Sequence, residues 1–193
     1  GETHYVLPGD KIQPVVDKAS DGDTVVVLGG EYPFDITIDS KNINLTKPFG
    51  DKVTINGDVN LKNLDKHFEL VGFNVGGDTG NSEAINIQDC LDIVLSKIQS
   101  QGVIIQNSKA SVLNSKLSQL LLYGNKCSAK VVGCNIATIN SNGSSDLGHV
   151  IFQNSIKAIN TSEAEQKIII AYNKMRTAFF KHSGTAIFLG NII

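Results

Sequence analysis

The sequence has no tryptophan, one methionine, four prolines, three cysteines and a single arginine, Arg176, among 193 residues. No stretch approaches the roughly 18 consecutive apolar residues that cross a bilayer, so no membrane span is expected. Neither sign of charge dominates. With 17 basic and 19 acidic side chains the formal net charge is −2, and no global field draws the chain onto nucleic acid or an anionic membrane. Cys90, Cys127 and Cys134 show no metal-ligand spacing, and an odd count leaves at least one without an internal partner; they read as small buried hydrophobes.

Familiar catalytic sets are also missing. Asp89 and Asp92 lie close together at a turn, whereas glycoside hydrolysis needs two carboxyls about 5 to 9.5 Å apart across a cleft. His4, His67, His149 and His182 are scattered, with no Ser or Cys partner at a useful spacing, so no triad is read. Asp21 and Asp23 flank Gly22 and invite a calcium reading, but the further ligands of a tight site are absent from the pattern. They are read as turn formers. No metal ligands are assigned and no cofactor is required, with calcium left open.

What the sequence does have is a repeat, the first thing to seek because it decides the fold. Six segments align, opening at Ile93, Val112, Val131, Ile151, Ile170 and Ile187, with steps of 19, 19, 20, 19 and 17 residues. A second series opens at Ile85, Val103, Leu120, Ile139, Ile159 and Ala178, with steps of 18, 17, 19, 20 and 19. This period is too short for a helix pair or a propeller blade, which need about 33 residues or more, and the leucine-rich frame is not kept. It suits one turn of a coil of parallel strands. The expected fold is all-β, a single-stranded right-handed parallel β-helix of about eight coils.

In the first series, positions one and six are almost uniformly Ile, Val or Leu and are assigned to the core. Position four reads Ser96, Ser115, Cys134, Asn154, Asn173 and Gly190, a file of small or amide residues suited to a bend, with Asn154 stacked over Asn173. The N-terminus departs from the repeat. Tyr5-Val6-Leu7 reads as a starting strand. Ile12, Val15, Val16 and Ala19 then follow helical spacing behind Asp10, a suitable N-cap, so a short helix is expected to cover the open first turn. The chain reads as one domain, 1–193, with strand and cap helix in 1–23 and coils in 24–193. Its uncapped end, Gly190-Asn191-Ile192-Ile193, suggests a fragment of a longer protein or closure by oligomerisation.

Ala19-Ser20-Asp21-Gly22-Asp23-Thr24-Val25-Val26-Val27, Gly30-Glu31-Tyr32, Ile43-Asn44-Leu45 and Val53-Thr54-Ile55-Asn56-Gly57 resemble the opening of pectate-lyase-like right-handed β-helix proteins. The likeness is greatest to alginate lyases and chondroitinase B. It covers residues 9 to 75 and becomes a generic coil repeat beyond them. The resemblance implies a scaffold that hosts lyases, hydrolases, epimerases, tailspikes and adhesins, so it constrains fold more than chemistry. It further implies uronate proton abstraction by a Lys base and an Arg within Arg-His-Gly, often with calcium. Lys181-His182-Ser183-Gly184 stands where that stretch would fall, with Lys in place of Arg, and 161–166 offers Glu163 and Glu165 but no Lys. If the protein is a polysaccharide lyase, Lys181 and His182 are the catalytic candidates, as charge neutraliser and proton shuttle.

Strand alternation puts Gln88, Gln106, Tyr123, Asn142, Ser162 and Lys181 on one outer face, an amide-rich file able to follow a sugar chain along the axis. The outer face of the first series grows apolar toward the C-terminus, and a partner copy or a downstream domain is expected over Phe152, Ile169 and Phe188. The expectation is thus a secreted or cell-surface protein that contacts polysaccharide; Gly1 reads as the residue left where an export signal was trimmed. The alternative is a non-catalytic structural or adhesion module acting through its stacked faces and apolar stripe.

Overall fold

The structure, a computed structural model, describes residues 1–76, 84–142, 148–162, 167–181 and 184–193. It is a parallel β-solenoid of about nine turns with one short helix, Ile12–Lys18. One side of the coil begins with a three-stranded sheet, Thr3–Val6, Thr24–Val27 and Asn44–Thr46. A seven-stranded sheet follows: His67–Val71, Asp92–Ser96, Lys109–Leu113, Ser128–Val132, His149–Phe152, Ile168–Ala171 and Ala186–Leu189. The other side stacks Ile36–Asp39, Val59–Lys62 and Ala84–Gln88. Five strands of eight residues continue it: Gln99–Gln106, Lys116–Tyr123, Asn135–Asn142, Ser155–Ser162 and Lys174–Lys181.

The core is a set of vertical files. Val103, Leu120, Ile139 and Ile159 stack turn on turn, as do Leu95, Val112, Val131, Ile151 and Ile170, all fully buried. Each such side chain contributes about 1.5–3 kcal/mol relative to leaving it in water. The three cysteines are buried within this core, as expected. Burial raises their pKa values, that of Cys127 to about 11, so they are inert packing groups.

Two corners of each turn are built from left-handed residues. Gly72, Lys97, Asn114, Gly133, Gln153, Tyr172 and Gly190 occupy the same place in seven successive turns, with φ between 48° and 74°. Ser40, Asn63, Asp89, Asn107 and Gly124 do the same at a second corner. This conformation costs a non-glycine residue about 1–2 kcal/mol. It persists because each non-glycine corner N–H still bonds the turn below, as Gln153 to the Ala171 carbonyl (3.2 Å) and Tyr172 to that of Leu189 (2.8 Å).

The residue after the first corner points inward and serves the N–H of its counterpart one turn above. Ser115 Oγ accepts from Ile98 N (3.0 Å), Cys134 Sγ from Ser115 N (3.5 Å), and Asn154 Oδ1 from Cys134 N (2.8 Å). Asn173 Oδ1 then accepts from Asn154 N (2.9 Å), and Asn191 Oδ1 from Asn173 N (3.0 Å). The expected ladder of Asn154 over Asn173 is present, and a third asparagine extends it.

The register corrects both ends of the sequence alignment. Leu95, not Ile93, pairs with Val112, so Ile98 rather than Ser96 opens the inward corner file. A slip of two residues preserves inward and outward alternation, which hid it. At the other end Phe188, not Ile187, pairs with Ile170, and Asn191 takes the place assigned to Gly190 because Gly190 is itself the corner residue at φ 57°. Phe188 therefore stands in register with the buried Ile170 and packs against Phe180, ring centroids 4.6 Å apart, while remaining exposed. The outer stripe holds Val150, Ile169 and Ile187 beside Phe152, Ala171 and Leu189. Phe152 is half-buried, edge-on to Tyr172 at 5.6 Å.

The helix covers the first turn as expected, burying Ile12, Val16 and Ala19. Its N-cap is Lys11, without a side-chain bond, and not Asp10, whose carboxylate accepts instead from Leu7 N (3.3 Å). The starting strand is Thr3–Val6 rather than residues 5–7. Gln13 closes the free edge of Ile36–Asp39 by bonding both backbone groups of Thr37, at 2.6 and 3.0 Å. Lys41 Nζ donates to the Val16 and Asp17 carbonyls, each at 2.9 Å, satisfying the helix end.

Asp21 and Asp23 are turn anchors. Asp21 accepts from Asn42, while Asp23 accepts from His4 Nε2 (3.0 Å), Ser20 N (2.8 Å) and Glu2 N (2.7 Å). Their oxygens accept from protein donors. The His4 bond, then the two N–H groups, hold the Asp23 carboxyl at a pKa of about 2 against an ordinary 3.8. A depressed carboxyl stabilises the fold fully above pH 3.8 and loses that contribution as pH falls toward 2. Asp23→Asn is expected to loosen the N-terminal strand, seen as faster amide exchange across Thr3–Val6 and Thr24–Val27 at pH 7. Wild type and variant should converge near pH 2.

Candidate functional site: an axial trough at the strand bend

The five eight-residue strands are bent. In Gln99–Gln106, Ser100 and Val103 are buried, and both residues between them, Gln101 and Gly102, face outward. Ser100 Oγ holds the bend by donating to the Gly102 carbonyl at 2.8 Å. The same break recurs in each strand below and shifts the parity of alternation by one. On the concave outer side of the stacked bends runs a trough. Its upper part, about 360 Å³, is lined by Gln99, Gln101, Lys116, Ser118, Asn135 and Lys157 among others. Its lower part, about 510 Å³, shares Asn135 and Lys157 and adds Ser155, Lys174, Arg176 and Ile193.

Two files form the lining. One runs Gln99, Lys116, Asn135, Ser155, Lys174; two residues further along the strands the other runs Gln101, Ser118, Ala137, Lys157, Arg176. Ser118 Oγ donates to Gln101 Oε1 at 3.0 Å, linking adjacent turns. Lys116, Lys157, Lys174 and Arg176 are exposed, and no Asp or Glu side chain is among the described residues lining either part of the trough.

The file expected from the sequence lies on the same sheet beyond the bend. Gln88, Gln106, Tyr123, Asn142, Ser162 and Lys181 are paired in register through six successive strands. At the inter-strand spacing of about 4.8 Å they span about 24 Å along the axis. Tyr123 Oη donates to Gln106 Oε1 at 3.0 Å. Beside this file, Asn86 bonds Asn60 and Asn160 bonds Asn140, each at 2.9 Å, with Ile104 and Leu121 between the two pairs. Lys181 is exposed at a strand end, and His182 lies outside the described residues, as do Glu163 and Glu165.

The sequence reading missed the trough. Its residues are one turn apart, and the bend breaks the alternation used to sort inward from outward. A readable signal existed in the charge order: residues 1–92 carry 16 of the 19 acidic side chains and 7 of the 17 basic ones, whereas residues 93–193 carry 3 and 10. Comparison with known proteins adds no kinship to this geometry: no family model matches the chain, and no curated protein matches its sequence.

Proposed function

We propose that this is an exported β-solenoid protein that contacts polysaccharide, the glycan lying along the solenoid axis in the trough and against the neighbouring amide file. The observation that carries the reading is a pair of adjoining cavities that share Asn135 and Lys157, lined in part by amides, hydroxyls and cations that recur at the strand spacing. An extended glycan offers a matching linear series of hydroxyls. The resemblance of residues 9 to 75 to pectate-lyase-like proteins favours the same class of ligand. The lyase candidate Lys181 stands at the end of the amide file and is not among the residues lining the trough.

The test is to incubate the protein with alginate, pectin and chondroitin, with and without calcium, following both retention on the immobilised glycan and unsaturated product by ultraviolet absorbance. Retention without product is expected. Product formation that Lys181→Ala abolishes would make it a lyase, and absence of retention on every glycan would overturn the reading.

A second reading is favoured by the apolar stripe. Val150, Ile169, Ile187, Leu189 and the Tyr172 ring are exposed on one flat face, the kind of surface that a partner covers. Light scattering across a concentration series tests it: a dimer dispersed by Ile169→Lys supports a structural module, and a monomer at all concentrations counts against it.

A further inference from the structure

The two ends of the solenoid are finished differently. At the upper end the helix covers the core, and Gln13 closes the edge of Ile36–Asp39. Across the coil, Thr3–Val6 ends its sheet and among the described residues pairs only with Thr24–Val27. The carbonyls of Glu2 and Val6 accept from Thr24 N and Leu28 N, so alternation aims the backbone groups of Thr3 and Tyr5 outward along the axis. Beside that edge Tyr5 is 62% and Leu7 52% exposed. At the lower end, on the same side of the coil, Ala186–Leu189 pairs among the described residues only with Ile168–Ala171. Its Thr185 and Leu189 neighbours in phase bond upward, to Ile168 N and Tyr172 N, which turns the backbone groups of Ala186 and Phe188 downward. Here Ile187 is 44%, Phe188 45% and Leu189 52% exposed. Both free edges are four-residue strands, and every pairing in the two sheets is parallel.

We infer that the lower end of one copy docks onto the upper end of a second copy, Ala186–Leu189 joining Thr3–Val6 as parallel neighbours in one continued sheet. Setting Ala186 against His4 and Phe188 against Val6 of the next copy keeps inward positions inward, since His4 and Val6 are in register with the buried Val25 and Val27. The backbone phase agrees: the Phe188 N–H meets the Tyr5 carbonyl, and the Tyr5 N–H meets the Ala186 carbonyl. The same register lays Ile187 on Tyr5 and Leu189 on Leu7, exposed apolar groups on exposed apolar groups. A slip of one residue loses both matches. Charge selects this order of ends. Residues 1–92 carry a formal net charge of −9 and residues 93–193 one of +7, so like ends repel and unlike ends attract. The contact is heterologous and leaves one unused edge at each extremity, so it propagates as an axial filament. It uses strand edges, whereas the second reading above covers the outer face of the sheet, and it leaves the trough untouched.

The experiment is sedimentation velocity of the whole chain at low salt over a concentration series, beside two variants each blocked at one end. I187E/L189E places carboxylates on the lower edge, and Y5K/L7K places cations on the upper one; all four side chains are exposed, so the core is left intact. Far-ultraviolet circular dichroism matching the wild type qualifies each variant, with I187S/L189S or Y5S/L7S replacing one that fails. The wild type is expected to grow with concentration past about three times the monomer mass, while each variant alone stays monomeric. An equimolar mixture of the two should settle at about twice the monomer mass and no higher, because each variant keeps the end that the other has lost. A wild type that is monomeric throughout, a variant that associates with itself, or a mixture that stays monomeric would overturn the inference. Glycan retention is read separately, so the polysaccharide reading stands or falls on its own test.

Discussion

Asn173→Ala is expected to destabilise the protein by about 4 kcal/mol, read as a drop in the urea midpoint at unchanged slope. The side chain is buried and uses its full bonding capacity. Its Oδ1 accepts from the Asn154 backbone N–H at 2.9 Å and from Asn154 Nδ2 at 3.0 Å; its Nδ2 shares its two hydrogens among three acceptors, the carbonyls of Ile151 (2.9 Å) and Ala171 (3.0 Å) and Asn191 Oδ1 (3.1 Å). Truncation strands donors and acceptors on three turns where water does not reach, and each such group costs about 1–3 kcal/mol. Asn191→Ala should cost about 1 kcal/mol, because that residue is half-buried at the last turn and solvent replaces part of what is lost. Equal effects at the two positions would mean that the corner file is not what holds the turns together.

The second large effect is acid-linked and centres on His149. This ring sits in the inward file between Ala129 and Ile168, its Nδ1 accepting from Ala129 N at 3.1 Å, and Nε2 is buried with no partner among the described residues. Burial lowers its pKa from an ordinary 6.5 to about 4. The unfolded chain takes up the proton first, so stability is full above pH 6.5, falls as pH drops below it, and levels off once the folded form also protonates near pH 4. The loss across that window is about 3 kcal/mol. His149→Gln keeps an acceptor for Ala129 N but cannot titrate. Chemical denaturation between pH 7 and 4 should show the steep wild-type decline and a flatter one in the variant. Parallel profiles would refute the assignment.

How much was legible beforehand follows from what each feature depends on. The coil was readable because every turn must refill the same core files, so Val112, Val131, Ile151 and Ile170 recur at nearly constant spacing. The register failed where neighbouring apolar residues made two alignments equivalent, at Ile93 with Leu95 and at Ile187 with Phe188. The left-handed corners were hidden because Lys97, Gln153 and Tyr172 have no local preference for positive φ; stacked hydrogen bonds impose it. The amide file from Gln88 to Lys181 was found because alternation holds beyond the bend. The trough was not, because two consecutive outward residues at the bend defeat alternation, and charge order along the chain has meaning only once the chain is wound.

That winding also separates the roles of the two halves. The acidic N-terminal turns are devoted to closing the solenoid, through Gln13, Lys41 and Asp23. The later turns leave their outer bend free and cationic, which is where a ligand can be met without disturbing the core.

The most direct measurement is a titration of isotope-labelled protein with short oligogalacturonates at low salt, following backbone and side-chain amide shifts by NMR. The account predicts changes concentrated along Lys116, Ser118, Asn135, Lys157, Lys174 and Arg176, fading toward the capped end and weakened by added salt. Changes confined to the opposite sheet, or spread evenly over the surface at the same concentrations, would contradict it.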